Sequence, residues 1–149
     1  MEKKIDIIFA TEAEIEAVWD LEKEIFSDSY SLKTLEDILS SKNEKLIIAK
    51  DEDNNTVGYI IYMAAADEGE LLRVAVKKDA RKNGIGEKLM NEMIDDLAKA
   101  EVKNIFLEVR ISNEPAVGMY ENMEFQTVAI RKKYYRNPTE DAMIMKRGL

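Results

Sequence analysis

Residues Leu71 to Ala100 read LLRVAVKKDARKNGIGEKLMNEMIDDLAKA, and their order decides the fold. Leu71, Leu72, Val74, Ala75 and Val76 are apolar and partly β-branched, which predicts a strand buried on both faces. Beyond the turn RKNGIG, apolar residues recur at Ile85, Leu89, Met90, Met93, Ile94, Leu97 and Ala98. Glu87, Lys88, Asn91, Glu92, Asp95 and Asp96 fall on the opposite side, so this segment reads as an amphipathic helix. A glycine-bearing turn between a strand end and a helix start is a natural anion site. The first helical N–H groups have no partner within the helix, and the macrodipole adds positive potential there. Gly84 and Gly86 lack the Cβ atoms that would hold a phosphate away from the backbone. A phosphate-bearing cofactor is therefore expected at this turn.

Composition bounds the chemistry. At 149 residues, with 46% hydrophobic and 35% charged positions, the chain reads as one soluble domain with room for a sizeable core. No apolar run reaches the length of a membrane span. The start, MEKKIDIIF, lacks the pattern of a secretion signal, so a cytoplasmic location is the expectation. The absence of cysteine excludes a thiolate nucleophile and a zinc–sulfur site, and no metal is expected. The absence of histidine removes the commonest general base and every Ser-His-Asp arrangement. A proton acceptor must then be a carboxylate, a lysine, a tyrosine or a relayed water. The net charge of −8 argues against nucleic-acid binding and suits cationic partners such as amines or basic peptide tails, although it also simply favours solubility.

Outward from the central stretch, Lys4 to Phe9 reads as a first strand. Thr11 and Glu14 form a capping box opening a helix, and Ser31 caps a second, shorter one. Lys45 to Lys50 and Thr56 to Met63 are strands joined by DEDNN, which reads as a solvated hairpin turn because the glycine and glutamate of a calcium loop are missing. On the other side, Asn104 to Arg110 (NIFLEVR) is a strand and Asn113 caps a helix with Pro115 in its first turn. Phe125 to Tyr135 and Ala142 to Lys146 close the chain as strands. The order β-α-α-β-β-β-α-β-α-β-β predicts a single α/β domain spanning 1–149, with a mixed sheet of about seven strands and helices on its faces.

Two side chains in this frame could carry chemistry. In NIFLEVR, Phe106, Glu108 and Arg110 share one strand face, so Glu108 is either a carboxylate paired with Arg110 or a working base. Tyr120 lies on the following helix with Ala116, Val117 and Met123. It is either half-buried packing or a phenol able to donate a proton to a leaving thiolate.

Arg81 to Gly86 fits Q/R-x-x-G-x-G/A after a strand ending in V-A-V, and this resembles the acetyl-coenzyme A motif of the GNAT N-acetyltransferases. LEVRISNEPAVGMYENMEF is similar to the LEVR-x-SN…LYE-x-x-GF signature of the RimI-type ribosomal-protein-alanine N-acetyltransferases within that superfamily. DEGE at Asp67 to Glu70, IRKKYY at Ile130 to Tyr135 and EDAMIM at Glu140 to Met145 add to the likeness, which covers nearly the whole chain. The resemblance implies Glu108 as general base and Tyr120 as general acid. It assigns cofactor contacts to Val74, Ala75, Val76, Arg81, Lys82, Asn83, Gly84, Ile85, Gly86, Glu87 and Asn113. It implies acetyl-coenzyme A as donor and a protein N-terminus, possessed by a ribosomal protein, as acceptor of a direct transfer. A small amine such as a polyamine or amino acid is the alternative acceptor, and a non-catalytic coenzyme A-binding module is the alternative class. The chain is expected to act as a monomer or homodimer. Three features depart from the family pattern: Glu124 stands in place of a glycine, Glu87 adds negative charge beside the cofactor turn, and FSDSYS (Phe26 to Ser31) lacks Pro-Trp-Ser.

Overall fold

A computed structural model describes residues 4–149. Seven strands form one sheet in the order β1-β2-β3-β4-β5-β7-β6. They are β1 (Asp6–Phe9), β2 (Glu44–Lys50), β3 (Thr56–Ala65), β4 (Glu68–Val76), β5 (Asn104–Arg110), β6 (Gln126–Tyr135) and β7 (Glu140–Gly148). The helices are α1 (Ile15–Ile25), α2 (Leu32–Leu39), α3 (Ile85–Lys99) and α4 (Glu114–Asn122). The element order matches the one read from the sequence.

Local chemistry starts each helix where expected. The Thr11 amide donates to Glu14 Oε1 at 2.8 Å and the Ala13 amide to Thr11 Oγ1, completing the capping box ahead of α1. Ser31 Oγ accepts from the Thr34 amide at 3.1 Å, and Asn113 Oδ1 accepts from the Ala116 amide at 3.3 Å. The β2–β3 turn is closed by Asp51 Oδ1, which accepts from the amides of Asp53 and Asn55. No metal-binding cluster forms among the described residues.

Every pairing is antiparallel except β4 with β5. That parallel pairing covers only Glu68↔Asn104, Gly69↔Ile105 and Glu70↔Phe106, after which the two strands part. The expectation of a strand buried on both faces is therefore corrected. Leu71 and Ala75 are buried, but Leu72, Arg73, Val74 and Val76 are only partly so. Their neighbour on the β5 side has gone, so these residues border the cores without being enclosed by them.

Two cores form, one on each face. On one, α3 packs Leu89, Met93 and Leu97 against Ile60, Tyr62, Leu71, Ile105 and Leu107. On the other, α1 and α2 bring Val18, Leu35 and Ile38 onto Ile48, Tyr59 and Ile61. A β-bulge in β4 links the two patterns. Ile61 pairs with Arg73 and Tyr62 with Leu71, so Leu72 is the extra residue. Gly69, Leu71, Val74 and Val76 consequently face α3, whereas Leu72 and Ala75 join the α1–α2 core.

Glu124, the departure from a glycine pattern, adopts φ +70°, in the left-handed region a glycine would favour. Arg147 answers it from β7: it pairs with the Glu124 carboxylate at 3.3 Å and donates to the Met123 carbonyl at 3.1 Å. The end of α4 is thus satisfied by an arginine rather than shaped by a glycine.

Candidate active site

The turn between β4 and α3 has the geometry of an anion nest. Lys82 and Gly84 both have positive φ, +68° and +73°, and alternate with ordinary conformations, a pattern that converges backbone N–H groups. Arg81 Nε donates to the Val76 carbonyl at 2.9 Å, and the Asn83 amide nitrogen donates to the Ala80 carbonyl at 3.0 Å. These two side chains shape the loop, and Ile85 is buried in the core, so the nest itself is backbone. A Cβ at Gly84 would meet nothing within 4 Å, leaving the concavity open. At Gly86 it would lie 3.3 Å from Met119 Sδ, which shows α4 packed against the start of α3. Glu87 is exposed in the first turn of α3, and Asn113 spends its side-chain oxygen on capping α4.

On the sheet, beside the short stretch where β4 and β5 pair, a cavity of about 260 Å³ is lined by Glu68, Glu70, Phe106, Glu108, Arg131 and Ile144, among others. Glu108 is about one quarter exposed, and its partner is Arg131 on β6 at 3.4 Å. The expected alternative pairing with Arg110 does not occur. Arg110 instead turns to the β6–β7 loop, donating to the carbonyls of Arg136 and Pro138, pairing with Glu140 at 3.4 Å and stacking on Tyr135. Sharing a strand face was not enough, because a closer acceptor set lay across the hairpin.

Two further residues gather around Glu108. Tyr134 is held protonated above the usual phenol range by its hydrogen-bonding interaction with Glu108, with burial adding to it. Glu70 faces the same cavity from β4. Burial, and next the charge of Glu108, raise its carboxyl above the usual range, against the pull of Arg131. Sequence reasoning treated DEGE and IRKKYY as likeness only and assigned no role to Glu70, Arg131 or Tyr134. The signal was present in the two-residue periodicity, which puts Glu68 and Glu70 on one face, but the order β4-β5-β7-β6 across the sheet was needed to show which cavity that face lines.

Tyr120 lies on the other side of the sheet. Its ring is buried with Leu107, Val109 and Phe125, meeting Phe125 edge-on at 6.0 Å. Burial, with the neighbouring Tyr135, pushes its hydroxyl up to about 12. Glu108 and Tyr120 therefore occupy opposite faces of β5, Tyr120 on the face that packs against α3.

A backbone nest thus opens α3, β4 and β5 part after three residue pairs, and a carboxylate and a phenol stand on opposite faces of β5. The chain belongs to the Acetyltransferase (GNAT) family, whose sequence pattern matches residues 15–125, and it is an N-acetyltransferase. It is 32% identical to the [ribosomal protein bS18]-alanine N-acetyltransferase of Salmonella typhimurium over 146 residues, covering 95% of this chain and 94% of that protein. The crystal structure of the ribosomal-protein-S18-alanine N-acetyltransferase from Escherichia coli superposes with a TM-score of 0.88 at 27% identity, covering 97% of this chain and 94% of that one. Arabidopsis thaliana NAA60 in complex with acetyl-CoA shares the fold at a TM-score of 0.87 and 17% identity, over 98% of this chain and 99% of that one.

Proposed function

We propose that this protein transfers an acetyl group from acetyl-coenzyme A to the α-amine of an N-terminal alanine, that of ribosomal protein bS18, in the cytoplasm. The observation that carries the reading is the gap between β4 and β5, with Glu108 facing one side and Tyr120 the other. The relatives named above supply the acceptor's identity.

The residues present fit the donor. The nest at Arg81 to Gly86 suits a pyrophosphate, and Val74 to Val76 have no ladder partner on the β5 side, so their backbone groups are free to hold an extended arm. Acetyl-coenzyme A supplies the acetyl group already activated as a thioester. The amides around Val74 to Val76 are placed to polarise a carbonyl lying along the strand. Glu108 takes the proton that keeps an acceptor amine from attacking, directly or through water. Arg131 pairs with Glu108, while Glu70 adds a second carboxylate to the cavity, which suits a cationic acceptor.

Tyr120 holds the proton for the departing thiolate. Its raised affinity keeps it protonated through neutral and alkaline pH, so the proton is always on hand. Transfer to a thiolate of ordinary pKa near 8.5 would be uphill, on the order of 5 kcal/mol. It becomes level only where the same burial lifts the thiolate as well. Sequence reasoning assumed matched groups; burial makes the match conditional on a closed site.

The test is product identification. Wild-type protein is incubated with acetyl-coenzyme A and three acceptors: an Ala-initiated basic peptide, the same peptide with a blocked N-terminus, and a polyamine. A mass increase of one acetyl on the free-amine peptide alone supports the reading. Acetylation of the polyamine alone, or none at all, overturns the acceptor or the reaction.

A further inference from the structure

Glu22, in the last turn of α1, is completely buried. A carboxylate there must be fully partnered, and it is. It accepts from Arg73 Nε at 2.9 Å and Nη2 at 3.1 Å, from the Tyr59 hydroxyl at 2.6 Å and from the Tyr30 amide at 2.8 Å. Arg73 reaches further into the segment FSDSYS. Its Nη2 donates to the Asp28 carbonyl at 3.0 Å, and its guanidinium lies 3.9 Å from the Phe26 ring centre and 4.4 Å from that of Tyr30. One strand side chain and one buried carboxylate thus gather most of the α1–α2 loop.

The bulge at Leu72 is what makes this possible. Gly69 and Leu71 face α3, and simple alternation would send Arg73 the same way. The extra residue flips it toward the opposite face, where Glu22 and the loop wait. Glu70 already looks that way, into the cavity it shares with Glu108. Arg73 follows Glu70 on that face at three residues along the strand, roughly 10 Å at the usual rise. The loop is therefore pinned to the same strand that lines the cavity through Glu70.

A buried ion pair is a costly way to fill space, and apolar side chains of similar volume often stabilise a fold as well. What it adds is direction: a planar guanidinium bonded in two places and stacked between two rings has one position. We propose that Arg73 is a positioning residue for the acceptor: together with Glu22 it latches the loop 26–31 beside the Glu70–Glu108 cavity and thereby sets acceptor affinity. The inference rests on that cavity receiving the amine, and it holds whichever amine that is.

The experiment measures KM for the acceptor, kcat and acetyl-coenzyme A affinity in Arg73→Lys, which leaves Glu22 a cationic partner but removes the two-point bond and the stacking. The acceptor is the one that wild-type protein acetylates, peptide or polyamine, so a wrong assignment of acceptor is seen separately in the wild-type assay. KM should rise about tenfold, because the loop must be ordered at the moment of binding, with kcat and cofactor affinity within about twofold. Hydrogen exchange at the amides of 26–31 should quicken in parallel. Phe26→Leu/Tyr30→Leu, which keeps the ion pair and loosens only the stacking, should move KM the same way by less and stands in if Arg73→Lys fails to fold. Unchanged KM in a folded variant whose loop exchanges faster overturns the proposal. So does a loss confined to kcat or to melting temperature.

Discussion

The two halves of the sheet are built differently. β2 and β3 are covered on both faces, by α3 on one and by α1 and α2 on the other, and Ile47, Ile48, Tyr59, Ile60, Ile61 and Tyr62 have no exposed surface. β5 alternates buried and half-buried residues, β7 buries only Ala142 and Met145, and β6 is exposed along nearly its whole length. Helices cover only one face of that half. Its bare face carries Glu108, Arg131 and Tyr134, with Glu70 contributed from the strand where the halves meet. The double-covered half can afford few charges, and where it holds one, as at Glu22, every oxygen is engaged. The single-covered half can keep charges available for a substrate. Stability and chemistry are thus divided across one continuous sheet.

That division can be broken by mutation, and the sharpest attempt targets the seam. Gly84→Asp adds bulk and negative charge to the nest without meeting any atom of the protein. Acetyl-coenzyme A binding should be lost in calorimetry while the fold persists, since aspartate tolerates a left-handed backbone better than most residues. Gly86→Asp should act likewise, but with a packing cost, because Met119 is close. Undiminished affinity in Gly84→Asp would remove the turn from the donor site.

In the covered half, Ile60→Ala should lower stability by about 2–5 kcal/mol in denaturant titration while leaving turnover per folded molecule unchanged. In the open half the pattern should reverse. Glu108→Gln keeps shape but cannot accept a proton, so the rate at neutral pH should fall roughly a hundredfold or more. Part of that loss should return as pH rises and more amine is already deprotonated. The thermal melt should barely move, because the pair with Arg131 is partly solvated. Wild-type turnover with an altered melt would instead assign Glu108 to structure.

Tyr120→Phe sits between the two behaviours, being buried yet next to the gap. Its turnover should fall about tenfold to a hundredfold, with donor affinity nearly intact. A change within twofold, with chemistry rate-limiting, would return Tyr120 to the core. The smallest effect is expected at Glu70. Its carboxyl binds a proton more tightly in the folded chain than in the unfolded one, through burial first and Glu108 second. Ionisation therefore costs stability once pH exceeds that raised value. Glu70→Gln should melt slightly above wild type at about pH 7 to 8, and the gap should close as pH falls toward about 4. A gap that widens on acidification would contradict the like-charge contact between Glu70 and Glu108.

Much of this protein is written in short-range chemistry, and that part was legible. Thr11 with Glu14, Ser31 and Asn113 start helices because their side chains bond amides two or three residues away, and nothing distant is needed. The apolar spacing from Ile85 to Leu97 and the alternation in NIFLEVR set element types and faces by the same local logic. The glycines at 84 and 86 marked the turn before α3, and the absence of histidine restricted any proton acceptor to a carboxylate, a lysine, a tyrosine or a relayed water. What the tertiary structure alone decided were the partners across strands. Glu108 meets Arg131 rather than Arg110, Val74 and Val76 lose their β5 neighbour and stay half-buried at the edge of the α3 core, and Arg73 turns to Glu22 because one residue bulges. Each depends on where a strand stops pairing or slips by one. Periodicity along a single strand cannot register that, because it is a relation between two chain segments far apart in sequence.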